Sequence, residues 1–197
     1  MLVRVVVGAL IGTILVFTWG AVAWVGGLYS FAHGPVPKDE GLAVVAAAGV
    51  VRDGAYVFPA PPRNLPAAEM EQATARWQER AKAGPVGMLI VRMDGAEPMS
   101  AKVLGRGFLI EFVGSLLLAA IVAGSARHGA GIVRRFAVGF VAVLFAVVAT
   151  RGIDWNFFLQ PDNWALAQTA DGLIGWSLAC AGISLVVQKK KPQAEAA

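Results

Sequence analysis

Two acidic side chains stand inside long apolar stretches of the sequence, where charged groups are uncommon. Glu111 lies in the apolar run that follows Arg106, and Asp171 lies in the last apolar run, one helical turn after Gln168. An ionisable group within a membrane span costs a few kcal/mol to insert and usually faces the protein interior. Two such groups can bind a proton or a small cation, or they can form ion pairs and hydrogen bonds between helices.

Nearby arginines favour the second interpretation. Arg106 lies about 7 Å along a helix from Glu111, and Arg151 ends the preceding span on the same side of the membrane as Asp171. We therefore predict an intramembrane polar cluster that ties the helices together. Its members are Arg106, Glu111, Arg151, Gln168 and Asp171. Whether Glu111 and Asp171 also carry a proton or cation stays open at this point.

Other residues that often do chemistry are poorly placed for it. His33 and His128 fall in loops predicted on opposite sides of the membrane, so they cannot share a metal ion or haem. Cys180 stands mid-span among small residues and is expected to pack. No Gly-x-Ser-x-Gly or Ser-x-x-Lys arrangement appears in the sequence. We therefore predict no catalytic residues, no metal site and no cofactor.

Four apolar segments must position the polar residues. The chain is 57% hydrophobic and 15% charged, whereas about a quarter of a soluble domain is charged, so we expect an integral membrane protein. The predicted spans are residues 5–28, 107–126, 136–150 and 163–188. The third is only about 22 Å long, which is short for a hydrocarbon core about 30 Å thick. Either Arg135 and Arg151 reach opposite headgroup layers, or the helix begins near Ile132.

The first span is expected to be an uncleaved anchor. Arg4 and the small residues at 21–23 are also compatible with a signal peptide, but the apolar run continues to Leu28. Small residues at helical spacing predict close helix packing, with a dimer motif or a cofactor groove as alternatives. These positions are Gly8, Gly12, Gly172, Gly175 and Ala179.

Basic residues predict the orientation. With four crossings, one side of the membrane carries Arg4, Arg127, Arg134, Arg135 and Lys189–Lys191. Because this side should be the cytoplasm, both termini are expected there, in a bacterial inner membrane. An aromatic belt is expected at the outer interface, formed by Trp24, Tyr29, Phe31, Trp155, Phe157, Phe158 and Trp164.

Residues 30–105 are rich in prolines and charges and predict a small extracytoplasmic α+β insertion between spans one and two. We expect a helix over 40–50, a strand over 55–58, a helix from about Pro66 to Gly84 and a strand over 86–92. So small a segment cannot bury a large core. It should lean on the membrane helices or on a partner.

Several short motifs resemble a family of small bacterial four-span inner-membrane proteins of no established activity. They are Phe17-Thr18-Trp19-Gly20, Tyr56-Val57-Phe58-Pro59, Gly84-Pro85, Pro98-Met99-Ser100, Arg106-Gly107-Phe108-Leu109-Ile110 and Asp171-Gly172-Leu173-Ile174-Gly175-Trp176. The resemblance implies the four-span architecture and brings no functional residues with it. The expected organisation is a first span at 1–29, the insertion at 30–105, spans two to four at 106–188 and a cytoplasmic tail at 189–197.

Three functions fit this sequence. The first is a non-catalytic accessory or interaction subunit that docks on a larger membrane complex or on a second copy. The second is a small oligomeric transporter or ion-conducting protein that uses Glu111 and Asp171. The third is an enzyme acting on a lipid or quinone at the outer interface. The lipid bilayer is the expected environment, and no nucleic-acid partner is expected, because the lysine run suits anionic headgroups.

Overall fold

The computed structural model describes residues 1–34, 45 and 48–188, and it is mainly helical with one small sheet. The elements in chain order are α1 (Leu2–Gly20), β1 (Gly54–Phe58), α2 (Ala67–Ala83), β2 (Gly87–Val91), α3 (Ala101–Arg127), α4 (Ile132–Val147), α5 (Ile153–Phe157) and α6 (Asp162–Val186). Two π-helical turns extend α1 and α4, over Ala21–Val25 and Val148–Gly152. The second of these joins α4 to α5.

Four helices are long and apolar enough to cross a membrane, as predicted, although their ends differ from the predicted ones. They cover Leu2–Val25, Ala101–Ala126, Ile132–Phe157 and Asp162–Val186. α3 begins at Ala101 because the hydroxyl of Ser100 accepts a hydrogen bond from the backbone N–H of Val103, at 3.4 Å.

The predicted bounds 136–150 for the third span are wrong. This helix begins at Ile132, one of the two alternatives, and it has 26 residues. Arg151 falls within the π-helical turn and does not end the helix, which continues as far as Phe157. Even the part from Ile132 to Gly152 is long enough to cross a bilayer without thinning it.

The chain divides into two compact units. The helical unit contains Met1–His33, Glu97–Gly152 and Asn163–Ala197, and the sheet unit contains Gly34–Ala96 and Ile153–Asp162, each as far as the structure describes them. Residues 153–162, which sequence analysis left outside the insertion, thus belong with the sheet.

In the sheet unit the two predicted strands are confirmed. β1 and β2 pair antiparallel, with Gly54 opposite Val91. The predicted helix is also confirmed as α2, which follows Pro66 and ends at Gly84, whose φ of +70° suits glycine. The indole N–H of Trp77 donates to the carbonyl of Pro59 at 2.9 Å and links α2 to the end of β1. The helix predicted over 40–50 lies largely outside the described residues.

In the helical unit, α6 contacts each of the other three long helices. Its fully buried residues include Ala179, Cys180 and Ile183. A methyl group added at Gly139 of α4 would overlap the sulfur of Cys180, and one added at Gly114 of α3 would lie 2.5 Å from the ring of Trp176. The buried core of the helical unit therefore surrounds α6. Glycines occupy its closest contacts between helices.

The predicted packing positions contact three helices, α6, α1 and α4. A methyl group added at Gly8 would lie 2.9 Å from Val187, and one at Gly12 would lie 2.9 Å from Ile183, so both contact α6. Gly175 of α6 faces back toward α1, whereas an added methyl group at Gly172 would lie 3.1 Å from Val147 of α4. The small residues of α6 therefore form contacts in two directions.

Two glycines in different helices give a matched test of this packing. We expect Gly139→Ala to lower the stability by about 1–3 kcal/mol, because the added methyl group overpacks the contact with Cys180. No described atom lies within 4 Å of a methyl group added at Gly124. Gly124→Ala should therefore raise stability by up to about 1 kcal/mol through helix propensity. Thermal unfolding in detergent measures both, and equal effects would contradict the packing.

Candidate functional site

A hydrogen bond joins the first and last long helices at a half-buried acid. The indole N–H of Trp19, near the end of α1, donates to Oδ1 of Asp171 in α6 at 2.9 Å, and both side chains are half-buried. Gly175 lies one turn further along α6, where an added methyl group would be 2.9 Å from Trp19 Cδ1. The indole thus packs on α6 at Gly175, which has no side chain to exclude it, and its N–H reaches Asp171.

Several side-chain oxygens of the helical unit are buried without a hydrogen-bond partner among the described residues. These atoms are Tyr29 Oη, Glu111 Oε2, Ser115 Oγ and Gln168 Oε1. Gln168 precedes Asp171 by one helical turn, and Ser115 follows Glu111 by one turn on α3. We call this group, with Asp171, the polar cluster.

The five residues predicted to form a polar cluster differ in burial and in the helix that carries them. Glu111 on α3 and Gln168 and Asp171 on α6 are half-buried, whereas the Arg106 side chain is exposed on α3. Arg151 is half-buried in the π-helical turn that follows α4. The ion pairs expected between these arginines and the two carboxyl groups stay a prediction.

An aromatic group packs at the same end of the helical unit. The ring of Trp24, in the π-helical turn after α1, lies 5.0 Å from Tyr29, 5.6 Å from Trp164 and 5.8 Å from His33, measured between centroids. Tyr29 is only 4% exposed. Burial, together with the negative charge of Asp171, raises the pKa of Tyr29 above its usual value. Tyr29 therefore keeps its hydroxyl proton at neutral pH.

Trp19 and Tyr29 are the two residues that sequence reasoning missed. It placed Tyr29 only in an aromatic belt and gave Trp19 no role beyond a family motif. The sequence did contain one signal for Trp19. Gly175 lies one turn from Asp171 and leaves room on α6 for a large ring.

A cavity of about 310 Å³ lies between α3, α4 and α6. Its walls are mainly apolar and include Leu117, Ala142, Ala146 and Trp176. Arg151 and Thr150 line it too, and the hydroxyl of Thr150 donates to the carbonyl of Ala146 at 2.8 Å. A cavity of this volume with mainly apolar walls is suited to an apolar ligand.

The sheet unit contains an apolar groove of about 200 Å³. Its walls include Phe58, Trp77, Met88, Phe157, Phe158 and Leu159. Phe157 is 71% exposed and Leu159 is 57% exposed. The indole N–H of Trp155 donates to Asp162 at 2.8 Å and closes the loop that carries these side chains.

Neither the polar cluster nor the rest of the described chain contains a group of three or more His, Cys, Asp or Glu residues that could hold a metal ion. Comparison of the chain with protein-family models, with curated proteins and with solved structures gave no match.

The bond between Trp19 and Asp171 can be tested with one substitution at two tryptophans. Trp19→Phe should lower stability by about 1–3 kcal/mol, because it leaves a part-buried carboxylate oxygen without its donor. Trp155→Phe removes the same kind of bond where both groups are exposed, so it should change stability by less than about 0.5 kcal/mol. Thermal unfolding in detergent measures both. Similar losses at the two positions would contradict a special role for Trp19.

Proposed function

We propose that this protein is a non-catalytic accessory subunit of the bacterial inner membrane. It docks through its sheet unit on a larger membrane complex or on a second copy of itself. The observation that carries this proposal is the apolar groove of the sheet unit, whose wall residues Phe157 and Leu159 are more than half exposed. Exposed aromatic and aliphatic side chains around a groove are typical of interaction sites.

The small size of the sheet unit supports docking. In the part of the chain that the structure describes, the sheet has two strands, and none of the residues of α2 is buried. A two-stranded sheet is marginally stable in water without further packing. A partner that covers the groove would therefore stabilise the sheet unit as well as bind to it.

The proposed orientation places this groove outside the cytoplasm. It rests on the basic residues at Arg4, Arg134 and Arg135, which all fall on one side if the four apolar helices each cross the membrane once. Membership in the bacterial family suggested by the short motifs is part of the same proposal.

Topology reporters test this orientation directly. A reporter fused after Ala197 should behave as cytoplasmic, and one inserted at Pro61 should behave as external. An alkaline phosphatase and green fluorescent protein pair measures the two positions. A cytoplasmic signal at Pro61 would invert the orientation and remove the proposed external docking surface.

Leu159 allows the groove to be altered without harming the fold. Its φ is +51°, a left-handed conformation in which asparagine is better tolerated than leucine. Leu159→Asn should therefore keep the unfolding temperature unchanged or higher, while removing an apolar wall of the groove. Val51, which is 84% exposed and does not line the groove, gives the matched control Val51→Asn.

A photoreactive phenylalanine analogue at position 157 detects what covers the groove in native membranes. We expect one protein adduct at 157, none at 51, and loss of the adduct in Leu159→Asn but not in Val51→Asn. An adduct at twice the chain mass identifies a second copy, and another mass identifies a different subunit. Lipid adducts alone, unaffected by Leu159→Asn, would contradict the docking function.

A further inference from the structure

We infer that the cavity between α3, α4 and α6 binds one acyl chain of an anionic phospholipid, with the headgroup phosphate at Arg151. The chain occupies the apolar length of the cavity, and the guanidinium group of Arg151, which lines its end on α4, binds the phosphate. The cavity belongs to the helical unit, so this inference is independent of the docking function proposed for the sheet unit.

The residues of α4 that line the cavity form one face of the helix. They recur every four residues and continue into the π-helical turn over Val148–Gly152, and residues at this spacing share a face. They are Ala142, Val143, Ala146, Val147, Thr150 and Arg151. From Ala142 to Arg151 this face is about 13 Å long, close to half of a hydrocarbon core about 30 Å thick. The cavity therefore matches in length the acyl chain of one leaflet.

The walls of the cavity extend from the buried core to the exposed surface of the helical unit. Leu118 and Val143 line it and are buried, whereas Leu117 of α3 and Ala146 of α4 line it and are exposed. The cavity therefore opens between α3 and α4. In a bilayer the exposed apolar side chains of a spanning helix contact lipid chains, so a chain reaches the cavity from the side without crossing a polar surface.

Close contacts at the walls prevent the helices from closing the cavity. Trp176 packs on Gly114 of α3, where an added methyl group would lie 2.5 Å from the ring, and Val147 packs on Gly172, where it would lie 3.1 Å away. All four residues line the cavity. Van der Waals packing is a main force between helices in a membrane, and a chain that fills the cavity adds such contacts. Lipid binding should therefore stabilise the helical unit.

Arg151 gives the cavity a charged end. It is the one charged residue among the described residues that line the cavity. A guanidinium group has five N–H donors, so it can bind a phosphate while it also contacts a protein group. The hydroxyl of Thr150, also in the lining, already donates to the carbonyl of Ala146 at 2.8 Å. The arginine is therefore the group that recognises the headgroup.

The depth of Arg151 agrees with a headgroup contact. Arg151 lies about 28 Å along the helix from Ile132, where α4 begins, and this distance is close to the thickness of the hydrocarbon core. When Ile132 is at one surface of the bilayer, the guanidinium group reaches the headgroups of the other. A basic residue near the surface favours an anionic headgroup over a zwitterionic one, whose ammonium group offsets its phosphate, by about fivefold in affinity.

Native mass spectrometry of the full-length protein in detergent tests the site. The protein is titrated with phosphatidylglycerol or with phosphatidylcholine, both carrying the same oleoyl chains. We expect one lipid molecule to bind more tightly than all later ones, with a dissociation constant about fivefold lower for phosphatidylglycerol. A continuous series of adducts without a stronger first site, or equal affinity for the two lipids, overturns the inference.

Two pairs of variants separate the binding of the chain from the binding of the charge. Ala146→Phe fills the cavity and should abolish the first site, whereas Ala137→Phe adds the same ring at an exposed position of α4 outside the lining and should keep it. Arg151→Gln should remove the preference for phosphatidylglycerol, and Arg134→Gln, exposed at the other end of α4, should keep it. An unchanged first site in Ala146→Phe, or an unchanged preference in Arg151→Gln, contradicts the inference.

A photoreactive lipid keeps the test decisive if these variants unfold. Phosphatidylglycerol with a diazirine near the end of one acyl chain is added to vesicles that contain the wild-type protein, and peptide mass spectrometry locates the adducts. We expect adducts at Ile121 and Ala142, which line the cavity, and their loss when unlabelled phosphatidylglycerol competes. Equal labelling of Phe145, which is exposed on α4 and does not line the cavity, with no competition, indicates surrounding lipid only and overturns the inference.

Discussion

The close approach of α1 to α6 is the constraint on which the rest of the helical unit depends. Between helices in a membrane there is little hydrophobic driving force, so van der Waals packing and interhelical hydrogen bonds must hold them together. Gly8 and Gly12 admit the side chains of Val187 and Ile183, and Gly175 admits the ring of Trp19. The hydrogen bond between Trp19 and Asp171 is a consequence of this geometry, since the indole packs where α6 has no side chain.

The architecture was predictable because a chain in lipid must satisfy its backbone hydrogen bonds internally. Long apolar runs therefore mark helices, and all four were found from composition and spacing. The third helix was predicted too short because Arg135 and Arg151 look like its boundaries. A charged residue does not by itself end a helix. Here Arg151 lies in the π-helical turn, and the backbone stays helical over Ile153–Phe157.

The polar cluster was only partly predictable. Glu111, Gln168 and Asp171 stand out because polar residues are rare within apolar runs. Trp19 does not stand out, since the sequence has six tryptophans and no pattern indicates which one meets an acid in a distant helix. That pairing depends on which helices are neighbours, and hydropathy carries no information about helix order.

The contact between the first and last helices has a consequence for biosynthesis. α6 is the last of the four long helices to leave the ribosome, so the glycines of α1 meet it only when synthesis is nearly finished. The acid and its indole donor are separated by about three-quarters of the chain. α1 can therefore pack on α3 first, and the contact that brings Trp19 to Asp171 forms last.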